Sequence, residues 1–186
     1  MLRRIMPALD LTPIEELIAV RKMLHGGKRG APKVVGNYRV GTAINNSCVL
    51  MLSALLQGYV EILFLTISQQ LLKRQLDNAT AYEKYRDTLR RWGNPSTDNI
   101  QSLYLRLGVA DILDGISWRN MTNKSVKQKL RDLNVIRNKI AHGQKLPKAL
   151  SLSDVISFRD FVMQFSYHFA GRVEALQYCP SHLKVH

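Results

Sequence analysis

The chain has 186 residues, of which 46% are apolar and 22% charged, a composition typical of a globular protein rather than a disordered one. Its formal net charge is +13, because 27 lysines and arginines outnumber 14 aspartates and glutamates. Such an excess attracts polyanions, with nucleic acid the first candidate and an anionic membrane the second. The two cysteines exclude a disulfide-rich secreted scaffold and a zinc site built from cysteines.

Residues 1–40 are predicted to form a helix followed by a basic loop. Thr12, Pro13 and Glu15 match the N-cap, N1 and N3 positions of a capping box, and two glycines end the helix after His25. Residues 21–33 hold five cations, three glycines and no acid, which predicts a mobile basic loop. No apolar segment follows the first charged residues, so we expect no signal peptide and, with so few cysteines, a cytoplasmic protein.

Residues 41–176 are predicted to fold as one all-α domain, a bundle of long helices with short additions, and 177–186 as a tail. A long helix is expected over 41–76, and Gly93-Asn94-Pro95 breaks the chain before a short helix that begins at Ser96 or Thr97. A further short helical piece is expected over 109–118. No alternating run is long enough to predict a strand.

Two longer helices complete the predicted bundle. The first begins at Thr122 or Asn123 and ends at His142-Gly143, and the second covers about 154–176 after a cap at Ser151 or Ser153.

The segment from Val49 to Ile67 raises the question of a membrane span. It has 19 residues and one charge, Glu61, and a span needs about 20 apolar residues. A carboxylate is costly in the middle of a bilayer. We therefore favour a central helix buried in a soluble bundle, and no membrane contact.

An arginine interrupts the apolar stripe of the predicted helix that begins at Thr122 or Asn123. Val126, Leu130, Leu133 and Ile140 step by 4, 3 and 7 residues, and Arg137 occupies the missing position. A charge there must be paired, hydrated or offered to a ligand. His142 follows five residues later, which on an ideal helix is a rotation of about 140° and a rise of about 7.5 Å.

An arginine and a histidine together suit metal-free cleavage of RNA. A histidine can accept the proton of a ribose 2′-hydroxyl at physiological pH, and a guanidinium can grip the phosphate and stabilise its developing charge. If two copies met across a twofold axis, two such pairs would converge in one cleft. The structural alternatives are a dipole-stabilised histidine and an arginine paired with a buried acid such as Glu61.

The string Arg137-Asn138-Lys139-Ile140-Ala141-His142 resembles the R-x4–6-H motif of HEPN-domain ribonucleases, with the polar residue that they favour after the arginine. The stretches 57–64 and 94–100, together with Leu107-Gly108 and Trp118, are similar to the RiboL-PSP and MAE_28990-like branch of this family. These similarities span about residues 44–170.

The resemblance implies a HEPN-like α-helical bundle built on long antiparallel helices, a homodimer, and an endoribonuclease site that needs no cofactor and no metal. It makes Arg137, Asn138 and His142 the catalytic residues and Glu61 a supporting partner of Arg137. It also implies a role in toxin–antitoxin or phage-defence systems, and hence an antitoxin protein as a possible partner.

The RNA substrate is expected to meet a basic field around this motif. Between Trp118 and Lys148 nine cations face a single acid, and Arg131, Lys139 and Lys145 are the candidate RNA contacts. The alternative function is a non-catalytic HEPN module that binds RNA, a nucleotide or a partner protein.

Overall fold

The computed structural model describes residues 6–25, 34–36, 38–39, 41–72, 83, 86–90 and 92–178. Its long helices are α1 (Thr12–His25), α2 (Thr42–Leu72), α4 (Asn123–Ala141) and α5 (Leu152–Ala175), and α3 (Thr97–Leu105) is shorter. Residues 86–89 are also helical, and a 3-10 turn, Leu176–Tyr178, follows α5. The all-α fold class predicted from the sequence is confirmed.

Helix α2 forms the centre of the core. Its apolar side chains repeat every three or four residues, and the fully buried ones include Leu52, Leu56, Val60 and Leu63. It packs against α1, α3, α4 and α5. The same burial raises the pKa of the Cys48 thiol, which makes this cysteine a core side chain rather than a reactive one. Because its neighbours cover it, α2 acts as the core helix of the bundle.

Aromatic rings from α3 and α5 fill the space beside α2. Phe165 stacks on Phe169 with ring centroids 5.2 Å apart, and Tyr104 meets both Phe64 and Phe169 edge-on at 5.6 and 5.4 Å. Desolvation of the phenol raises the pKa of Tyr104 well above its ordinary value. Its buried hydroxyl has no hydrogen-bond partner among the described residues, so this ring contributes packing.

Three contacts fix the directions of the helices. Asn45 Nδ2 donates to the carbonyl of Leu150 at 2.7 Å, and Tyr59 Oη donates to the carbonyl of Ser166 at 3.4 Å, so α2 and α5 run in the same direction. Lys129 Nζ lies 4.5 Å from the centroid of the Phe158 ring, and Ile136, further along α4, lines a cavity with Leu150, which precedes α5, so α4 runs antiparallel to both. The C-terminal end of α4 and the N-terminal ends of α2 and α5 therefore lie at one end of the bundle.

The predicted caps of α3, α4 and α5 are confirmed. Ser96, Thr122 and Ser151 each accept a hydrogen bond from the backbone N–H three residues later. At α5 the carboxylate of Asp154 also accepts from the backbone of Ser151, which completes a capping box. Desolvation opposes ionisation of Asp154, but the bonds from Ser151 and the nearby lysines outweigh it and lower the pKa of this carboxyl.

The capping box predicted for α1 is wrong. The helix already includes Thr12, whose backbone N–H donates to Oδ1 of Asp10 at 2.9 Å, and the carbonyl of Leu11 accepts the first helical bonds. Asp10 therefore takes the role assigned to Thr12, while Glu15 forms an ion pair with Arg159 of α5. The carboxylate of Glu15, which a capping box would use, therefore bonds to another helix.

Two further predictions differ from the structure. Residues 109–118 form turns rather than a helical piece, because Gly108 and Gly115 have φ values of +78° and +76°. A two-residue antiparallel ribbon, β1 (Val34–Val35) and β2 (Tyr38–Arg39), was not expected. Gly36, with φ at +58°, allows the turn between these strands.

By length and composition α2 could cross a membrane. Residues Thr42–Leu71 have a mean hydropathy of 2.0 in their most apolar window, and half of that window is buried inside the bundle.

The predicted basic loop lies mostly outside the described residues, except for its first members. Arg21 and Lys22 belong to α1, and Arg21 is buried rather than part of an exposed loop.

Candidate functional site

Arg137 stands on the side of α4 that packs into the bundle. Val126, Leu130 and Leu133 are buried on this side, and Arg137 is half-buried one turn beyond Leu133. Its Nη1 donates a hydrogen bond to Oδ1 of Asn138 at 3.2 Å. No ion pair involves Arg137 in the part of the chain that the structure describes, so its charge is available to a ligand.

Asn138 is held from the other side by the loop before α3. The Nδ2 of Asn94 donates to Oδ1 of Asn138 at 2.7 Å, and the carbonyl of Asn94 accepts from Nδ2 of Asn99 at 2.7 Å. The indole N–H of Trp92 donates to the carbonyl of Asn99 at 3.0 Å. A continuous chain of hydrogen bonds thus links Trp92 to Arg137 and restricts the rotamer of Asn138.

His142 is the C-cap residue of α4, and its side chain is exposed. The N–H of Gly143 donates to the carbonyl of Ile140, and the N–H of Gln144 donates to the carbonyl of Lys139, which is the Schellman pattern. Gly143 has φ at +64°, a conformation that glycine adopts without strain. The glycine after the histidine therefore sets the helix end that presents His142 to solvent.

Arg137 and His142 lie on the same helix but are not joined. Among the described residues no hydrogen bond links their side chains, as expected for positions separated by five residues and about 140° of helical rotation. Within one copy of the chain, Arg137 faces the loop at Asn94 and His142 faces outward. The two side chains therefore do not form a preformed pair.

Among the described residues, no ion pair joins Glu61 to Arg137. Glu61 is half-buried on α2 and accepts a hydrogen bond of 3.1 Å from Nε2 of Gln57, one turn earlier on the same helix. The amide oxygen of Asn138 is instead the acceptor for Arg137. Sequence reasoning found a buried acid on the adjacent helix but had no measure of its reach.

The three candidate RNA contacts surround the motif with positive charge. Arg131 and Lys145 are exposed and Lys139 is half-buried, and none of them has an acidic partner in the described part of the chain. Val135, 51% exposed, stands one turn after Arg131 and two turns before His142. One outward face of α4 thus carries a cation, an apolar side chain and the histidine.

A comparison with protein-family models gives a match to RiboL-PSP-HEPN over residues 26–175. This range is well over half of the 186 residues and contains Arg137, Asn138 and His142. The chain belongs to the RiboL-PSP-HEPN family. No curated protein and no solved structure matches it. The family resemblance read from the sequence is confirmed, and the match begins earlier than residue 44, where the resemblance was expected to start.

The RiboL-PSP-HEPN domain has a further site residue that sequence reasoning did not assign. Asn94 was noted only as part of a break in the chain and of the family resemblance, yet it donates the shortest hydrogen bond to Asn138. The only signal in the sequence was an asparagine before Pro95, ahead of a capped helix.

Within the described residues, no group of three His, Cys, Asp or Glu side chains is close enough to hold a metal ion.

Proposed function

We propose that this RiboL-PSP-HEPN protein is a metal-independent endoribonuclease in which Arg137, Asn138 and His142 act on the RNA phosphodiester. One observation carries the proposal. In a chain of this family, the guanidinium of Arg137, which has no ion pair among the described residues, bonds to Asn138 near a helix end that exposes His142. The residue types and their placement suit binding of a phosphate by Arg137 next to His142 as general base.

The proposed reaction is an internal attack within the RNA. His142 takes the proton of a ribose 2′-hydroxyl, and the oxygen attacks the adjacent phosphorus to give a 2′,3′-cyclic phosphate. The bond to the 5′-oxygen of the next nucleotide breaks, and the proton held by His142 is returned to that oxygen, directly or through water, so that it becomes a hydroxyl. Arg137 stabilises the charge that builds on the non-bridging oxygens. Asn138 keeps the guanidinium in place.

The active form is proposed to be a homodimer with two copies of α4 facing one cleft. Within one copy Arg137 and His142 point in different directions, so a second copy brings additional arginine and histidine side chains to the same phosphate. The exposed Val135 between Arg131 and His142 suits such an interface.

Val135→Glu should shift the protein toward the monomer, as measured by light scattering, and should lower RNA cleavage. Val20→Glu, on α1, should do neither.

The biological role proposed is that of a cytoplasmic toxin or phage-defence effector, without membrane contact. An enzyme that cuts RNA in its own cell needs a neutraliser, and an acidic antitoxin protein would complement the charge of +13. Expression of the wild-type chain should therefore arrest growth, and expression of His142→Ala should not.

Purified protein tests the proposed reaction directly. His142→Ala and Arg137→Ala should each lower cleavage of RNA by at least about a hundredfold. The first variant lacks the general base, and the second lacks the side chain that stabilises the anionic phosphate. His168→Ala is the matched control, because His168 stacks on Trp118 with ring centroids 5.3 Å apart, away from the motif. Wild-type rates in both motif variants would refute the site.

The alternative is a non-catalytic HEPN module that binds RNA, a nucleotide or a partner protein. The separation of Arg137 and His142 within one copy is the observation that favours it. Salt-dependent RNA binding with no cleavage after long incubation, by a protein that is dimeric in solution, would support this function in place of the nuclease.

A further inference from the structure

Arg21 is a buried cation with no partner in the described structure. It lies near the C-terminal end of α1 and is only 6% exposed. Its Nε is completely buried and makes no hydrogen bond, and the described residues offer it no ion pair. A guanidinium removed from water in this way is costly unless an anion compensates it.

The Arg21 guanidinium lies directly against the N-terminus of α2. A Cβ placed on Gly41 would come within 2.3 Å of Nε and 2.4 Å of Cζ, so only a glycine leaves room for this approach. Gly41 immediately precedes Thr42, the first residue of α2, and has φ at +98°. The first N–H groups of a long helix are themselves an electropositive site.

Nothing acidic in this part of the sequence balances the two positive groups. No aspartate or glutamate occurs between Leu17 and Val60, whereas this stretch contains six lysines and arginines. The first turn of α2 has no acidic residue. A buried guanidinium and a helix N-terminus of the same sign repel each other, and a bound anion removes that repulsion.

We propose that Arg21 and the backbone N–H groups of Thr42, Ala43 and Ile44 form a binding site for a phosphate group. The guanidinium supplies a planar fork of donors, and the helix supplies converging N–H groups, a combination that suits the several oxygens of phosphate. Gly41 gives the arginine close access to the backbone at the start of α2.

This phosphate site lies at the same end of the bundle as the motif on α4. Asn45, in the first turns of α2, is bonded to the carbonyl of Leu150 in the chain that follows His142 and precedes α5. The phosphate can belong to a free ligand or to the RNA backbone, and either source uses the same donors. The proposal does not depend on RNA cleavage by Arg137 and His142.

Titration with inorganic phosphate at constant ionic strength tests the site in three variants. Arg21→Gln should weaken phosphate binding by about tenfold or more, since a charge-assisted hydrogen bond is lost. Lys22→Gln is the matched control, because Lys22 is the exposed neighbour on the same helix and loses the same charge. Arg137→Ala should remove only phosphate bound at the motif on α4 and should retain binding at Arg21. Equal losses in Arg21→Gln and Lys22→Gln would overturn the proposal.

The wild-type protein provides a test that does not depend on the folding of any variant. In amide NMR spectra, phosphate should shift the resonances of Thr42, Ala43 and Ile44 and the side-chain Nε–H of Arg21. Shifts confined to residues 137–143, or none, would overturn the site.

RNA binding by His142→Ala identifies the source of the phosphate. Adding Arg21→Gln should lower the slope of log affinity against log salt by about 1 if an RNA phosphate occupies the site. An unchanged slope together with loss of inorganic phosphate binding in Arg21→Gln assigns the site to a free phosphate ligand. If Arg21→Gln retains both RNA binding with an unchanged slope and binding of inorganic phosphate, the site is refuted.

Discussion

Asn94 donates a hydrogen bond of 2.7 Å to the same amide oxygen of Asn138 that accepts from Arg137 at 3.2 Å. Two residues that are 44 positions apart in sequence therefore meet at the motif. The oxygen of Asn138 has no freedom to turn away, because both of its partners donate to it. The loop before α3 thus acts on the arginine through Asn138.

Removal of the Asn94 amide should loosen this arrangement. We expect Asn94→Ala to lower RNA cleavage by about tenfold, with a coupling energy to Asn138→Ala in the range of about 0.5–3 kcal/mol measured for residues in one network. Kinetics of both single variants and the double variant measure the coupling.

Asn123→Ala provides the control for the loss of a structural asparagine. Its side chain donates to the carbonyls of Leu113 and Ile116, away from the motif, so stability should fall while the rate per folded molecule stays the same. Strictly additive effects of Asn94→Ala and Asn138→Ala would contradict the coupling.

The left-handed conformation of Gly143 predicts a cost for alanine at this position. Gly143→Ala should lower the free energy of unfolding by about 1–2 kcal/mol and disturb the exposure of His142, although open space surrounds the site. Chemical denaturation and cleavage assays measure both effects. Gly171→Ala, inside α5 with no atom near the added Cβ and no positive φ, should instead stabilise by about 0.5–1 kcal/mol.

The capping box of α5 predicts a loss of stability in acid. The pKa of Asp154 is lowered from 3.8 in the folded state, so its contribution is present above the unfolded pKa and is lost as the pH falls through the folded pKa. Unfolding free energies between pH 7 and pH 2 should fall less steeply for Asp154→Asn than for wild type.

The unpartnered hydroxyl of Tyr104 predicts that phenylalanine is tolerated there. Tyr104→Phe should leave the unfolding free energy unchanged or raise it by up to about 1 kcal/mol, because it removes a buried polar group without a partner. Tyr104→Ala should cost about 3–5 kcal/mol, since it leaves a cavity between Phe64 and Phe169. A large loss in the phenylalanine variant would mean that the hydroxyl is bonded.

The exposed cations Arg131 on α4 and Lys145 in the loop after it predict salt-dependent RNA binding. Arg131→Gln and Lys145→Gln should each lower the slope of log affinity against log salt by about 1 when combined with His142→Ala. Arg172→Gln, exposed near the opposite end of α5, removes an equal charge and should leave the slope unchanged. Equal effects of all three would indicate attraction by net charge alone.

The sequence predicted those parts of the structure that depend on local chemistry. The caps at Ser96, Thr122 and Ser151 and the helix end at Gly143 follow from side chains that bond to their own backbone. The burial of α2 follows from its apolar repeat. These interactions join residues only a few positions apart, so the residue types themselves carry the information.

Contacts between distant residues were beyond the sequence alone. The partner of Asn138 is Asn94, and the partner of Glu15 is Arg159 rather than its own helix N-terminus. The separation of Glu61 from Arg137 likewise depends on how α2 and α4 pack. Each of these outcomes is set by tertiary packing, which no spacing within one helix determines.

The apolar character of α2 has a consequence for every variant described above. Folded, the helix packs against α1, α4 and α5, but in a chain that fails to fold, Thr42–Leu71 is exposed and is long and apolar enough to cross a membrane. Destabilised variants should therefore partition into the membrane fraction of the cell. A variant recovered there has lost its fold, so its lack of RNA cleavage says nothing about catalysis.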